Sequence, residues 1–516
     1  MKPCSEKVFL SLKMPTEDAP VSDRRRILLA LETLGYEGVS MPLSVLRSLY
    51  PLCRDAEFDI TATLVRRERD WAVTAVEPGD TRAQHYGLAV DYGSTTVVMQ
   101  LVDLHTGAVL AQVRDYNAQA RYGSDILSRI TYALEGAQQM EDLQRATVET
   151  FDGLLARLRE ETGVDAGSLP VMLVSGNTTM VHFLLRLNAW TVFASPYAPV
   201  TAAPGWLWGQ ELGMAFSGLV YFVPAASNYV GGDIVSGLMS LDLHKKEEIG
   251  MFFDIGTNGE LVLGCRDWIV AGAGAAGPAL EGYISRHGMR AGPGAIDRVE
   301  IRDGVLRYTT IEGAKAVGIC GSGIIDLVAQ MRLAGWINAA GHLEPGATAR
   351  IRWLEEEGEY AVVYALEEES ATGEALSFTQ TDIRQYLDTK AAAYTMIDCL
   401  LETAGCRPED LARCYLSGAF AAHSDLESAI TVGIFPDLPR EKYVALANTS
   451  LDGARTLLLD RERIREAEEL AEGIYCIQFA SIPDFLVRMQ AAKFIPHTDM
   501  DRYPSIRARL KEGRSL

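Results

Sequence analysis

Apolar residues in the central and C-terminal parts of the chain fall into short runs that stop abruptly at an acid, a hydroxyl or a glycine. The run GLAVD at 87–91 is unbroken and short, the pattern of a buried strand rather than of a long helix. Residues 95–103 alternate well enough for a second strand, His105-Thr106-Gly107 is a turn, and AVLAQVRDY at 108–116 makes a third. Helical spacing follows over 124–135 and 139–162. VMLVS at 171–175 is another apolar strand, and Gly176-Asn177-Thr178-Thr179 opens a helix through Leu187.

The same order returns further along. GMFFDI at 250–255, ELVLGC at 260–265 and DWIVAG at 267–272 are three strands. A long helix is predicted from about Thr381 to Ala404, closed by Gly405. RCYLS at 413–417 is a strand that runs into Gly418-Ala419-Phe420. Asp91 thus pairs with Asp254, and Ser175-Gly176 with Ser417-Gly418. An internal repeat of this kind decides the fold more than any local propensity does. It implies two α/β lobes related by pseudo-symmetry, each with a mixed sheet, and a ligand cleft where they meet.

Residues 1–84 read as a separate small α+β unit. Ser22-Asp23 precedes the short helix RRRILLALETLG, and FDITATLVRR and DWAVTAV are β-like. EPGDTRAQH at 77–85 is polar and reads as a linker. The expected division is 1–84, a first lobe over 85–245 and a second over 246–516.

Length and charge narrow the function classes. A chain of 516 residues is too long for one core. A net charge of −21 argues against tight binding to nucleic acid or an anionic membrane. No apolar stretch of about 18 residues predicts a span, and the N-terminal run is too interrupted for a signal peptide. A cytoplasmic protein is expected. The eight cysteines show neither C-x₂-C spacing nor a plant-type [2Fe–2S] run, so reduced thiols are expected, with a cluster shared between subunits left open.

The candidate chemistry lies in the repeated turns. In Asp91-Tyr92-Gly93-Ser94-Thr95-Thr96, glycine lets the backbone approach a phosphate and the hydroxyls and N–H groups donate to it. Asp91 at the strand end suits Mg²⁺, held directly or through water. Asp254-Ile255-Gly256-Thr257-Asn258-Gly259 carries the same logic. Alone, each reads equally well as a hairpin with an Asx turn. At equivalent points of a duplication they read as two grips on one phosphate tail. Charge-assisted hydrogen bonds contribute about 1.5–3 kcal/mol each, so three or four anchor a triphosphate.

Four weaker features accompany them. The turn at Ser417-Gly418 passes close to an adenine ring or is a plain strand-to-helix turn. Gly321 and Ser322, in GICGSG, open a helix whose N-terminus suits an anion; the plainer reading is a tight loop around a buried Cys320. Asp233, after YVGG, either orients a water for attack on a γ-phosphate or serves the helix dipole. Lys390 either reaches a nucleotide or snorkels beside the apolar stripe of its helix.

The motifs resemble the phosphate-1, phosphate-2 and adenosine motifs of the acetate and sugar kinase/heat-shock chaperone/actin superfamily (ASKHA). Within it, NAQARYGSDILSRI, VSGNTTMVHFLL, YVGGDIVSGL, AGPALEG, GICGSGIIDLVAQ, TQTDIRQYLDTKAA and LSGAFAAH resemble the reductive activators of corrinoid proteins. The resemblance covers about residues 86–516, with a weaker match of 1–84 to that family's middle domain. It implies a duplicated, actin-like, ribonuclease H-like two-lobed ATPase, with Asp91, Asp233 and Asp254 catalytic and Asp91 and Asp254 at Mg²⁺. ATP is expected on Gly93–Thr96, Gly256–Gly259, Gly321, Ser322, Lys390, Ser417 and Gly418.

The activity the resemblance implies is ATP-dependent reduction of cob(II)amide to cob(I)amide on a partner, a corrinoid protein or corrinoid-dependent methyltransferase. The family's N-terminal [2Fe–2S] domain has no counterpart here. No iron–sulfur cluster is therefore expected in this chain, and a separate low-potential donor is. A homodimer is also implied. Three other activities fit the same fold: a small-molecule kinase, an activator of an acyl-CoA dehydratase with an intersubunit cluster, and a nucleotide-dependent binding module.

Overall fold

The computed structural model describes residues 2–256, 259–274, 284–418 and 424–512. Two compact units emerge: Met1–Asp242 with Thr449–Ile474, and Leu243–Asn448 with Tyr475–Leu516.

The first unit is built on a six-stranded sheet: β1 (Tyr86–Tyr92), β2 (Thr96–Asp103), β3 (Val109–Tyr116), β4 (Val171–Gly176), β5 (Gly205–Trp208) and β6 (Leu219–Phe222), in the order β3-β2-β1-β4-β6-β5. β1, β2 and β3 form an antiparallel meander. β4 lies parallel to β1, and β6 parallel to β4. All of β4 is buried, as its unbroken apolar run requires. The helix Thr449–Leu459, which returns from the far end of the chain, packs on β1 and β4. Edge strand β3 is largely exposed and reads accordingly as mixed polar and apolar.

The N-terminal segment has its own four-stranded sheet and its own core, including Ile27, Leu31, Val45, Leu49, Phe58 and Ile60. It is nevertheless tied to the rest of this unit. The Cys4 N–H donates to the Leu458 carbonyl, and the Arg461 guanidinium lies 4.9 Å above the Trp71 ring. The sequence reading passed over a helix here, Leu43–Asp55. It contains Pro51, which by local rules stops a helix; burial of Val45, Leu49 and Cys53 on one face outweighs that cost.

The second unit repeats the design. Its strands are β7 (Gly250–Ile255), β8 (Gly259–Cys265), β9 (Trp268–Gly274), β10 (Arg413–Ser417), β11 (Tyr443–Ala445) and β12 (Tyr475–Ile477), in the order β11-β10-β7-β8-β9-β12. β7, β8 and β9 form the meander, β10 is parallel to β7, and β11 is parallel to β10. The path β3-β2-β1-β4-β6 therefore has the same order and sense as β9-β8-β7-β10-β11, and the duplication read from the sequence is present. Two three-stranded sheets, led by Ala295–Arg302 and Ile351–Leu354, are inserted between β9 and β10. The long helix spans Gln380–Thr403, opened by a Thr379/Asp382 capping box and followed by Gly405 at φ 66°.

Candidate nucleotide-binding elements

In the first unit, β1 and β4 end side by side, with Asp91 in register with Ser175 and Tyr92 with Gly176. The Asp91 carboxylate is held by a hydroxyl from the returning helix: Ser450 Oγ donates to Asp91 Oδ1 at 2.8 Å. Ser450 Oγ in turn lies 2.8 Å from Ser175 Oγ, which is 3.2 Å from the Gly232 carbonyl. Both serines are buried.

The turn after β1 is tightly closed. The Gly93 N–H donates to the Thr96 carbonyl at 3.1 Å, and a Cβ on Gly93 would fall 2.5 Å from that oxygen. Only glycine fits there. Ser94 is buried, while Gly93, Thr95 and Thr96 are half-buried.

Asp233 stands in the first turn of the helix Gly232–Leu241. Two glycines press that helix start onto its neighbours. A Cβ on Gly231 would lie 2.5 Å from Asn177 Cα, and one on Gly232 would lie 2.3 Å from the Val223 carbonyl oxygen. Asp233 Oδ1 accepts from the Ile234 N–H at 2.9 Å. Burial, with the charge of Asp91 as a second cause, raises the Asp233 carboxyl well above the ordinary carboxylate range. The unit thus sets two oxygen-bearing acids within electrostatic reach of each other, beside a turn of hydroxyls. That is a hard-oxygen donor set, and Mg²⁺ fits it.

The second unit builds the matching element. Asp254 at the end of β7 is in register with Ser417 of β10, as Asp91 is with Ser175. Gly418 follows at φ 89°; a Cβ there would lie 2.3 Å from the Ile255 carbonyl oxygen and 2.8 Å from Asp254 Oδ1. Ser417 Oγ donates to the Ala447 carbonyl at 3.2 Å. A Cβ on Gly256 would meet nothing within 4 Å, so that turn is open, and Gly259 begins β8. Thr257 and Asn258 lie outside the described residues, as do Ala419 and Phe420.

Two other expected contributors are buried. Gly321 and Ser322 open the helix Gly321–Leu333, but both are buried. The preceding Cys320 N–H donates to the Ile296 carbonyl, and the Cys320 thiol lies 3.3 Å from the same oxygen. The tight loop around a buried cysteine is what forms there. Lys390 is fully buried, and its amine donates to the carbonyls of Phe494 at 2.7 Å and Pro496 at 2.5 Å. Burial pulls its pKa far down. It does not snorkel, and its amine is engaged inside the protein by those two carbonyls rather than offered to a nucleotide.

Sequence reasoning missed Ser450, Asn117 and Arg129. No local signal ties Ser450 to an acid 359 positions away. Asn117 and Arg129 sat in plain view within NAQARYGSDILSRI but were given no role of their own.

Three family models together span most of the chain: the RACo linker region over residues 1–83, the RACo middle region over 86–246, and the C-terminal domain of RACo, the ASKHA domain, over 248–507. The chain belongs to the RACo family. The segment 1–84, expected to match that family's middle domain, falls on the linker model, and the middle model falls on 86–246. A solved RACo-family structure, described as a reductive activator for corrinoid, iron-sulfur protein, is 35% identical with a TM-score of 0.86, over 98% of this chain and 81% of that one. The corrinoid activation enzyme RamQ of Eubacterium limosum is 30% identical over 409 residues, which is 78% of this chain and 69% of RamQ. A [Co(II) methylated amine-specific corrinoid protein] reductase of Methanosarcina barkeri is 24% identical over 75% of this chain and 73% of that protein.

Proposed function

We propose that this RACo-family chain is an ATPase that drives reductive activation of a corrinoid protein or corrinoid-dependent methyltransferase, taking cob(II)amide to cob(I)amide. The observation that carries the ATP reading is the equivalence of Asp91/Ser175 and Asp254/Ser417, two acid–serine pairs at matching strand ends of a duplicated fold. The names of the relatives support the corrinoid partner.

In this reading Gly93–Thr96 and Gly256–Gly259 bind the phosphates, with Asp91 and Asp254 at Mg²⁺ and its waters. Ser417 and Gly418 flank the adenosine. Mg²⁺, when bound, neutralises charge on the phosphate oxygens. Asp233, whose raised pKa makes its ionised form more basic than an ordinary carboxylate, orients a water in that form and accepts its proton as the γ-phosphoryl group leaves. ATP binding must favour a partner state in which cobalt is easier to reduce, since only differential affinity shifts an equilibrium. A coupling of about 1–3 kcal/mol moves a one-electron potential by roughly 40–130 mV. The electrons come from a separate low-potential donor, and the chain acts as a homodimer in the cytoplasm. Among the described residues no helix is long and apolar enough to cross a membrane.

The test mixes pure protein, Mg-ATP, a low-potential reductant and candidate corrinoid proteins, and follows the cobalt spectrum. An ATP-dependent appearance of cob(I)amide is expected with at least one candidate. No shift with any of them overturns the reading.

A further inference from the structure

The turn Gly93–Thr96 is fastened from behind through all four of its carbonyls. Asn117 Nδ2 donates to the Gly93 carbonyl at 3.0 Å, and the Asn117 N–H donates to the Thr95 carbonyl at 2.8 Å. Gly93 itself occupies the Thr96 carbonyl. The remaining one, on Ser94, accepts from Arg129 Nη1 at 2.7 Å. With its carbonyls held by the protein, the turn has its remaining N–H groups and its hydroxyls to offer a ligand.

Arg129 is the unusual member of this group. It is 1% exposed, yet among the described residues no carboxylate oxygen comes within 4.0 Å of its guanidinium. Its other partners are neutral: the Gly123 carbonyl at 2.9 Å and Gln119 Oε1 at 3.4 Å. The acid that caps its own helix, Asp125, attracts Arg129 from a distance but makes its hydrogen bonds to Ser128, accepting from its N–H at 2.9 Å and its Oγ at 2.7 Å. Tyr92, on β1, is held neutral by burial. Gly123 exists to let this arrangement close: a Cβ there would lie 2.9 Å from the Arg129 nitrogen.

A buried cation without a partner acid is costly to keep. In a chain of net charge −21, it is also out of character. We propose that Arg129 is a positioning residue for oligophosphate: it fixes the Ser94 carbonyl so that the Gly93–Thr96 turn faces a ligand with donors, and its charge, which no carboxylate among the described residues contacts, is matched by the phosphate when that ligand binds. This rests on the reading of the turn as a phosphate site.

The experiment measures melting of the full chain with Mg-free tripolyphosphate, with ATP and with adenosine, for wild type, R129M and R129K. Tripolyphosphate is expected to raise the wild-type melting temperature. R129M should bind it about tenfold or more weakly, as for loss of a charge-assisted contact. R129K, which keeps charge but not the planar fork, should lie between, about threefold weaker. The adenosine response should not change. If R129M does not fold, R129K decides. Equal tripolyphosphate affinity in wild type and the folded variants overturns the inference. An equal loss for adenosine also does, since it marks general damage. A wild type that responds to ATP and adenosine but not to tripolyphosphate overturns it too, whereas no response to any of the three removes the nucleotide reading beneath it.

Discussion

Ser450 and Asp91 lie 359 positions apart in sequence, and the serine hydroxyl donates to the carboxylate at 2.8 Å. The bond is made by the first turn of a helix that crosses back to the first unit after residues 243–448 of the second. It fixes one rotamer of an acid that we assign to Mg²⁺. Ser450→Ala removes the donor and leaves Ser175 Oγ without one neighbour, at a stability cost of about 1 kcal/mol. The expected functional outcome is a higher Mg²⁺ requirement, by about tenfold, for ATP turnover at unchanged maximal nucleotide occupancy. A Mg²⁺ titration of hydrolysis checks it, and Ser450→Thr, which keeps the hydroxyl, should restore most of the loss.

Asp254 is the acid of the second turn. Its position in register with Ser417 makes it the counterpart of Asp91. Replacing it with alanine removes a charge at a half-buried strand end without opening the core. Asp254→Ala should abolish ATP turnover while the circular-dichroism spectrum and melting cooperativity stay those of the wild type. Turnover within a factor of two of wild type would remove Asp254 from the site.

Gly418 shows how tightly this second turn is built. Its φ of 89° is left-handed, and its missing Cβ would collide with the Ile255 carbonyl and with Asp254 Oδ1. A non-glycine residue costs about 1–2 kcal/mol for the backbone alone, and the collision adds to it. Gly418→Ala should therefore lower stability by more than 2 kcal/mol in denaturant titrations, by the sum of those two effects, and should weaken nucleotide binding through displacement of Asp254. A control at Gly405, also at positive φ but with nothing within 4 Å of its Cβ, should show the backbone cost only.

How much of this was legible in the chain depends on whether the signal was local. The paired strands, their acids and their Ser-Gly ends could be read because a buried strand writes its burial into consecutive residues and the duplication writes it twice. The same logic found the C-terminal end of the Gln380–Thr403 helix, where Gly405 is a local signal. Lys390 was misjudged because helical spacing gives its azimuth but not what lies opposite, here the carbonyls of 494 and 496. Ser450 was invisible because its role exists only once the chain has folded back. Arg129 carries no local mark of burial, because its setting depends on Gly123, Gln119 and the Ser94 carbonyl all converging on it.

Asp326 makes a prediction about pH that is independent of the nucleotide elements. It lies in the helix Gly321–Leu333, 3% exposed, with Oδ2 accepting from the Val299 N–H at 3.3 Å and Oδ1 buried without a hydrogen-bond partner. Burial raises its pKa to about 6; Arg298, at 3.8 Å, and a hydrogen bond from Ser428 offset this in part, while Asp425 adds to it. The folded state therefore holds this proton more tightly than the unfolded chain, whose value is 3.8. Stability from this group is intact below that value and is lost as pH rises from about 4 to about 6 and beyond, on the order of 2–3 kcal/mol in all. Asp326→Asn cannot ionise and can still accept from Val299. Relative to wild type it should gain stability as pH increases, with the difference between the two growing from pH 4 to pH 7 and flat above. Melting curves at half-unit pH steps check this; parallel curves for the two proteins would show that Asp326 does not carry a raised pKa.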